Sequence, residues 1–189
     1  MEDLLCCECR SRYPLLQETL QIKDLRIYAF CLYDSFMESL LFQFKEGRDI
    51  ALAPLFFWPF HQQLRKYRRH IWVLMPSSYE KTMERSFFPL REMLKQMNKT
   101  LYEPFYKQTA FKQSKRSKKE REQVVREIYL KQEYPLPKGN LLLIDDVCTT
   151  SATLQRAYQL LLPHSNTIEA IVLCIHPLLA EQKKTINHF

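Results

Sequence analysis

The apolar residues of this chain fall into short runs separated by polar turns, and the spacing changes from run to run. Residues 26–33, RIYAFCLY, are almost continuously apolar and predict a strand. Asp34 then stands where a helix N-cap belongs. The segment SFMESLLFQFK after it places Phe36, Leu40, Leu41 and Phe44 on one predicted face, and Gly47 is the expected stop. IALAPLFFWPFHQQLRKY predicts a second helix disturbed by Pro54 and Pro59, with its aromatics as buried packing. HIWVLMP, residues 70–76, predicts a buried strand stopped by Pro76. Residues 79–98 are mostly helical in pattern, with Pro89 bending or starting one segment.

The clearest unit comes later. NLLLIDD predicts a short strand buried on both faces and ending in two carboxylates. VCTTSAT is a polar turn, LQRAYQLLL an amphipathic helix carrying Leu154, Ala157 and Leu161, and IEAIVLCI, residues 168–175, another strand. Strand, turn, helix and strand make a βαβ unit, hence an α/β fold with a mostly parallel sheet flanked by helices. Ligands of such sheets bind at the C-terminal strand ends, where Asp145 and Asp146 lie.

Length and composition then narrow the picture. A chain of 189 residues with 46% hydrophobic content suits one compact domain with a small appendage. The division expected is a cysteine-containing segment over 1–25 and the α/β domain over 26–189. The net charge of +7 is grouped, in Arg65, Lys66, Arg68 and Arg69 and more densely from Lys107 to Arg121. Such grouping points to phosphate-rich ligands or nucleic acid. Residues 107–123 are polar, basic and poor in aliphatics, so an exposed, mobile loop is expected there, or in part a solvated helix. No apolar stretch approaches membrane-spanning length and no signal peptide is visible, so the expected location is a reducing cytoplasm, peripheral to a membrane only through partners.

Asp145 and Asp146 need partners outside an apolar strand. A run of Thr149, Thr150, Ser151 and Thr153 next to a helix start forms a nest for a phosphate dianion. The carboxylates themselves repel phosphate and suit sugar hydroxyls or a hydrated divalent metal. Together these features describe a sugar phosphate held at both ends. Helix capping alone needs one such residue, not the whole run. A Walker-type loop is excluded, because no Gly-Lys-Ser/Thr is present, and a dinucleotide fingerprint is likewise missing.

LLLIDDVCTTSATL, residues 141–154, resembles the 5-phosphoribosyl-1-diphosphate (PRPP) motif of type I phosphoribosyltransferases. That resemblance implies that Asp145 and Asp146 contact ribose hydroxyls and a Mg²⁺ ion, and that Cys148, Thr149, Thr150, Ser151, Ala152 and Thr153 wrap the 5-phosphate. Ser151 stands where most members have glycine. LLFQFKEGRD (40–49), VLMPSSYEKTMERSFFP (73–89) and KQSKRSKKERE (112–122) are similar to segments of the ComF/ComFC branch, the competence-associated proteins of bacterial DNA uptake. By that resemblance Pro76, Ser77, Ser78 and Arg85 belong to a pyrophosphate-side segment. Lys112, Lys118, Lys119 and Arg121 belong to a loop closing over the site, with Lys112 and Arg121 among the catalytic candidates.

Cys6 and Cys9 have the C-x2-C spacing of half a tetrahedral zinc site. ComF-like proteins often carry a fuller module, so the readings here are a Zn²⁺ bound within one chain, a degenerate module, or two chains of a homodimer sharing one Zn²⁺. Two function classes follow. One is an enzyme transferring a phosphoribosyl group from PRPP with Mg²⁺, acting in DNA uptake. The other is a nonenzymatic module that binds single-stranded DNA or a partner such as the competence helicase or uptake machinery.

Overall fold

The computed structural model describes residues 4–107, 128–131 and 138–184, the side chains only to residue 181. A short helix α1 (Cys7–Ser11) leads into the strands β1 (Leu15–Ile22) and β2 (Leu25–Leu32), then helix α2 (Ser35–Lys45). After further turns and the four-residue helix α3 (His61–Leu64) come β3 (Ile71–Leu74), α4 (Tyr79–Arg85), α5 (Pro89–Leu94) and β4 (Leu101–Tyr102). β5 (Phe105–Lys107) and β6 (Ile128–Leu130) form a separate antiparallel ribbon. The chain closes with β7 (Gly139–Cys148), α6 (Ala152–Leu161), β8 (Ser165–Ile175) and α7 (Pro177–Lys184).

The main sheet has six strands in the order β1-β2-β8-β7-β3-β4. Only β1 runs antiparallel to its neighbour. This is the mostly parallel α/β sheet that the apolar runs predict. Leu141–Ile144 and Ile171–Ile175 at its centre are fully buried, as parallel strands covered on both faces require. β7, α6 and β8 form the expected βαβ unit, with Leu154, Ala157 and Leu161 as the buried face of α6. Among the described residues no helix is long and apolar enough to cross a membrane.

Asp34 caps α2 as expected, its Oδ1 accepting the Met37 N–H at 2.9 Å. The buried stripe is Met37, Leu41 and Phe44, while Phe36 and Leu40 lie half-buried beside it. Phe36 instead meets the Tyr13 ring edge-on. At Gly47 the backbone passes so close to the preceding turn that a Cβ would stand 2.5 Å from the Gln43 carbonyl oxygen.

The helix expected over residues 50–67 is not continuous. It is broken into 3₁₀ turns at Ile50–Leu55, Trp58–Phe60 and Arg65–Tyr67 around the short α3. Pro54 and Pro59 remove the N–H donors that an α-helix would need there. The aromatics of this segment are packing residues: Phe56, Phe57 and Phe60 are fully buried, and Phe60 stacks on Phe30 with ring centroids 4.3 Å apart. Pro89 starts a new helix, α5, because Ser86 has already ended α4 in the left-handed conformation.

β1 has no counterpart in the sequence reading. Its side chains are mostly exposed or half-buried and only Leu20 is buried, so the strand carries almost no apolar signal. It brings the N-terminal segment into the sheet as an edge. At the other end of the fold, Ser151 links β7 to α6 with φ of 58°, and its hydroxyl makes no capping bond.

Two stability measurements follow. Phe60→Ala should cost about 3–5 kcal/mol, seen as a lower urea midpoint at unchanged slope. Ser151→Gly should add about 1 kcal/mol, because glycine occupies the left-handed region without the Cβ penalty. A loss of stability in Ser151→Gly would instead mean that the serine hydroxyl holds the turn.

Candidate functional site

β7 outlasts its neighbour on one side. It pairs with β3 up to Ile144, opposite Leu74, and the Met75 N–H still donates to the Ile144 carbonyl at 2.9 Å. β3 then turns off at Pro76, while β8 stays paired with β7 through Cys148. Asp145 and Asp146 therefore emerge where the sheet loses a strand, at its C-terminal edge. Pro76, Ser77 and Ser78 form the chain that leaves β3 at this point.

The two carboxylates sit in different electrostatic situations. Asp146 forms an ion pair with Lys45, from the last turn of α2, at 2.5 Å. The two side chains are only 17% and 18% exposed, so this pair is far from a solvated surface contact. Burial pushes the Asp146 carboxyl up, but the charge and hydrogen bond of Lys45, helped by the Val147 N–H, hold it below the usual carboxylate range. Asp145 accepts the Asp146 N–H at 2.9 Å through Oδ1. Burial, and then the charge of Asp146, push its carboxyl up to about 7, with Lys107 and Lys45 pulling the other way. The sequence marked Lys107 only as the start of the basic group and Lys45 only as part of the LLFQFKEGRD segment, and neither as a partner of the carboxylates. The signal for Lys45 was its position: it follows buried Leu41 by one helical turn, on a stripe where a cation needs a partner.

The turn that follows is compact. Cys148 is buried and its thiol is pushed up to about 12, first by burial and then by Asp145, so it is a neutral packing group. Thr149 and Thr150 are exposed, and Ser151 is buried in its left-handed conformation. Ala152 and Thr153 form the first turn of α6. That helix is pinned to β1 by Gln155, whose Nε2 donates to the Ile22 carbonyl at 2.7 Å. The exposed hydroxyls and the start of a ten-residue helix thus follow the carboxylates directly in space as in sequence.

The remaining candidates are placed differently. The Ser78 hydroxyl caps α4, accepting the Lys81 N–H at 3.4 Å. Arg85 is only 8% exposed and pairs with Glu46 at 2.5 Å, so its guanidinium holds α4 to the end of α2. Its hydrogen bond is the main reason the Glu46 carboxyl lies below its ordinary range. Ser77 and Pro76 border a cavity of about 490 Å³ walled by Met75, Phe87, Phe88 and Phe105, and the carboxylates lie outside its lining. Lys112, Lys118, Lys119 and Arg121 lie outside the described residues.

The described residues by themselves assemble no complete site for either expected metal. Among the described residues no group of three His, Cys, Asp or Glu side chains converges. At the carboxylate pair a cation is already in place, Lys45. At the N-terminus the Cys6 sulfur accepts the Cys9 N–H at 3.4 Å, and Cys7 is exposed. The surface around that pair is formed by Arg12, Phe36, Gln43 and Leu52, none of them a zinc ligand in character.

No protein-family model matches the chain. Competence protein ComFC of Streptococcus pneumoniae (strain ATCC BAA-255 / R6) is similar, at 26% identity over 161 residues, which cover 85% of this chain and 71% of that protein. A hypoxanthine phosphoribosyltransferase from Staphylococcus aureus superposes with a TM-score of 0.37 and 16% identity, over 62% of this chain and 59% of that one. The similarity to ComFC runs through most of the chain, including the parallel sheet and the carboxylates at its C-terminal edge.

Proposed function

We propose that this protein binds a ribose 5-phosphate group, carried by PRPP or a related ligand, and acts as a competence-associated phosphoribosyltransferase-like protein in DNA uptake. The observation that carries the reading is the sequence of groups along the end of β7: two carboxylates, two exposed threonines, then the start of α6. Acceptors for sugar hydroxyls and donors for a phosphate stand side by side in that order. The phosphate takes the Cys148–Thr153 turn, away from the repelling carboxylates, and the ribose lies between. In PRPP the 1-diphosphate would point toward Pro76–Ser78, across the gap left where β3 ends. A Mg²⁺ ion arriving with PRPP would neutralise the diphosphate as it leaves.

A second reading has its own observation. Tyr79, Phe88 and Tyr106 are exposed around the 490 Å³ cavity, with Arg91, Lys107 and Lys131 among the residues that line it. Aromatic rings between cations are what a single-stranded nucleic acid stacks on. Binding of this kind falls steeply with salt and is blind to the carboxylate variants.

Calorimetric titration with ribose 5-phosphate and with inorganic phosphate tests the first reading. The Asp145→Ala/Asp146→Ala variant should lose ribose 5-phosphate by about tenfold or more, since a charge-assisted hydrogen bond contributes roughly 1.5–3 kcal/mol. It should keep or improve its affinity for phosphate. Thr150→Leu should weaken both ligands. Equal loss of both ligands in the folded aspartate variant would refute the assignment.

The raised carboxyl of Asp145 gives a pH dependence of stability. Its value in the folded chain, about 7, lies above its ordinary value of 3.8. Its contribution is therefore fully favourable below about pH 4 and is lost as pH rises toward 7, where the buried carboxylate must ionise. Asp145→Asn removes that cost while keeping an oxygen for the Asp146 N–H. The variant should be more stable than wild type at pH 8 by at least about 1 kcal/mol, each unit of pKa displacement being worth about 1.4 kcal/mol. The difference should vanish near pH 4. Thermal unfolding across that range is the measurement, and equal stability at pH 8 would contradict the buried, repelled carboxylate.

A further inference from the structure

We infer that Lys45 is the resident cation of the Asp145–Asp146 pair and that it keeps divalent metal ions off the two carboxylates. The pair sits at a sheet edge where sequence reasoning expects a hydrated metal, and two adjacent carboxylates invite one. The geometry gives the position to an ammonium. Lys45 Nζ lies 2.5 Å from Asp146 Oδ2, and neither side chain is more than 18% exposed. Asp145 has one oxygen committed to the Asp146 N–H at 2.9 Å. Among the described residues no third carboxylate, thiol or imidazole joins them.

A metal entering this site would have to displace Lys45 from a mostly buried pair. The displaced ammonium would give up its counter-charge at a position only 18% exposed. Leaving a charge without its partner in such a place is strongly unfavourable. The lysine is also fixed from its own side. The next residue, Glu46, is held by Arg85. Lys45 therefore acts as a specificity-determining residue. It neutralises one carboxylate without supplying Lewis acidity, and it leaves the pair as an acceptor of hydroxyl groups.

The test uses Mn²⁺ alone, followed by the electron paramagnetic resonance of the free ion, on the full chain at neutral pH. Wild type should show no saturable site that Asp146→Asn removes. Lys45→Met should open a site at least tenfold tighter than any in wild type, and Lys45→Met/Asp146→Asn should close it again. Circular dichroism checks the fold of each variant, and Lys45→Gln serves if the methionine variant does not fold. A wild-type Mn²⁺ site lost in Asp146→Asn would overturn the inference. So would folded Lys45 variants that bind Mn²⁺ no more tightly than wild type. The inference concerns the same carboxylates as the proposed ribose site, but its readout needs no sugar phosphate. Failure of ribose 5-phosphate to bind would refute the proposed ligand while leaving the Mn²⁺ result to decide on Lys45.

Discussion

A strand covered by packed side chains on both faces has no place for an ionised carboxylate, and β7 carries two. Leu141 to Ile144 are fully buried between β3 and β8, so the acids appear only where β3 has turned away at Pro76. That placement is a solvation requirement before it is a functional one. It also dictates what must surround the acids. Asp146 needs a counter-charge and has Lys45. Asp145 has a single backbone N–H and the pull of Lys107 at a distance, and it responds by holding its proton toward neutral pH.

The same requirement shapes the connection to α6. β7 ends on buried Cys148 and the chain must enter a helix at Ala152, with no glycine between them. Ser151 takes the left-handed conformation instead, with φ of 58°. Cys148 closes the floor beneath it as a neutral thiol. The turn is thus a conformationally strained loop between two rigid elements, which keeps the exposed Thr149 and Thr150 in one place relative to the carboxylates.

How much of this could be read from the sequence depended on how much each segment buries. β7, α6 and β8 were legible because their apolar residues are nearly all in the core, and the two aspartates and the hydroxyl run could lie nowhere but at the strand end. β1 was illegible because an edge strand with one buried residue carries no periodicity. Residues 50–67 misled because apolar density looks the same in a helix and in successive 3₁₀ turns, and only Pro54 and Pro59 distinguish them. Within the site, proximity in sequence revealed Asp145, Asp146 and the threonines. The contacts of Lys45 with Asp146 and of Glu46 with Arg85 join residues far apart in the chain, and those needed the fold.

Consecutive residues on a helix point about 100° apart, so one turn can grip two different elements. The end of α2 does this: Lys45 holds the end of β7, and Glu46 holds α4 through Arg85. These are the two elements that flank the gap above β3. Their separation is therefore set by a single rigid dipeptide acting as a spacer. Any shift of α4 toward or away from the carboxylates must bend α2 or break an ion pair, so the width of that gap is a property of α2 as much as of the loops that border it.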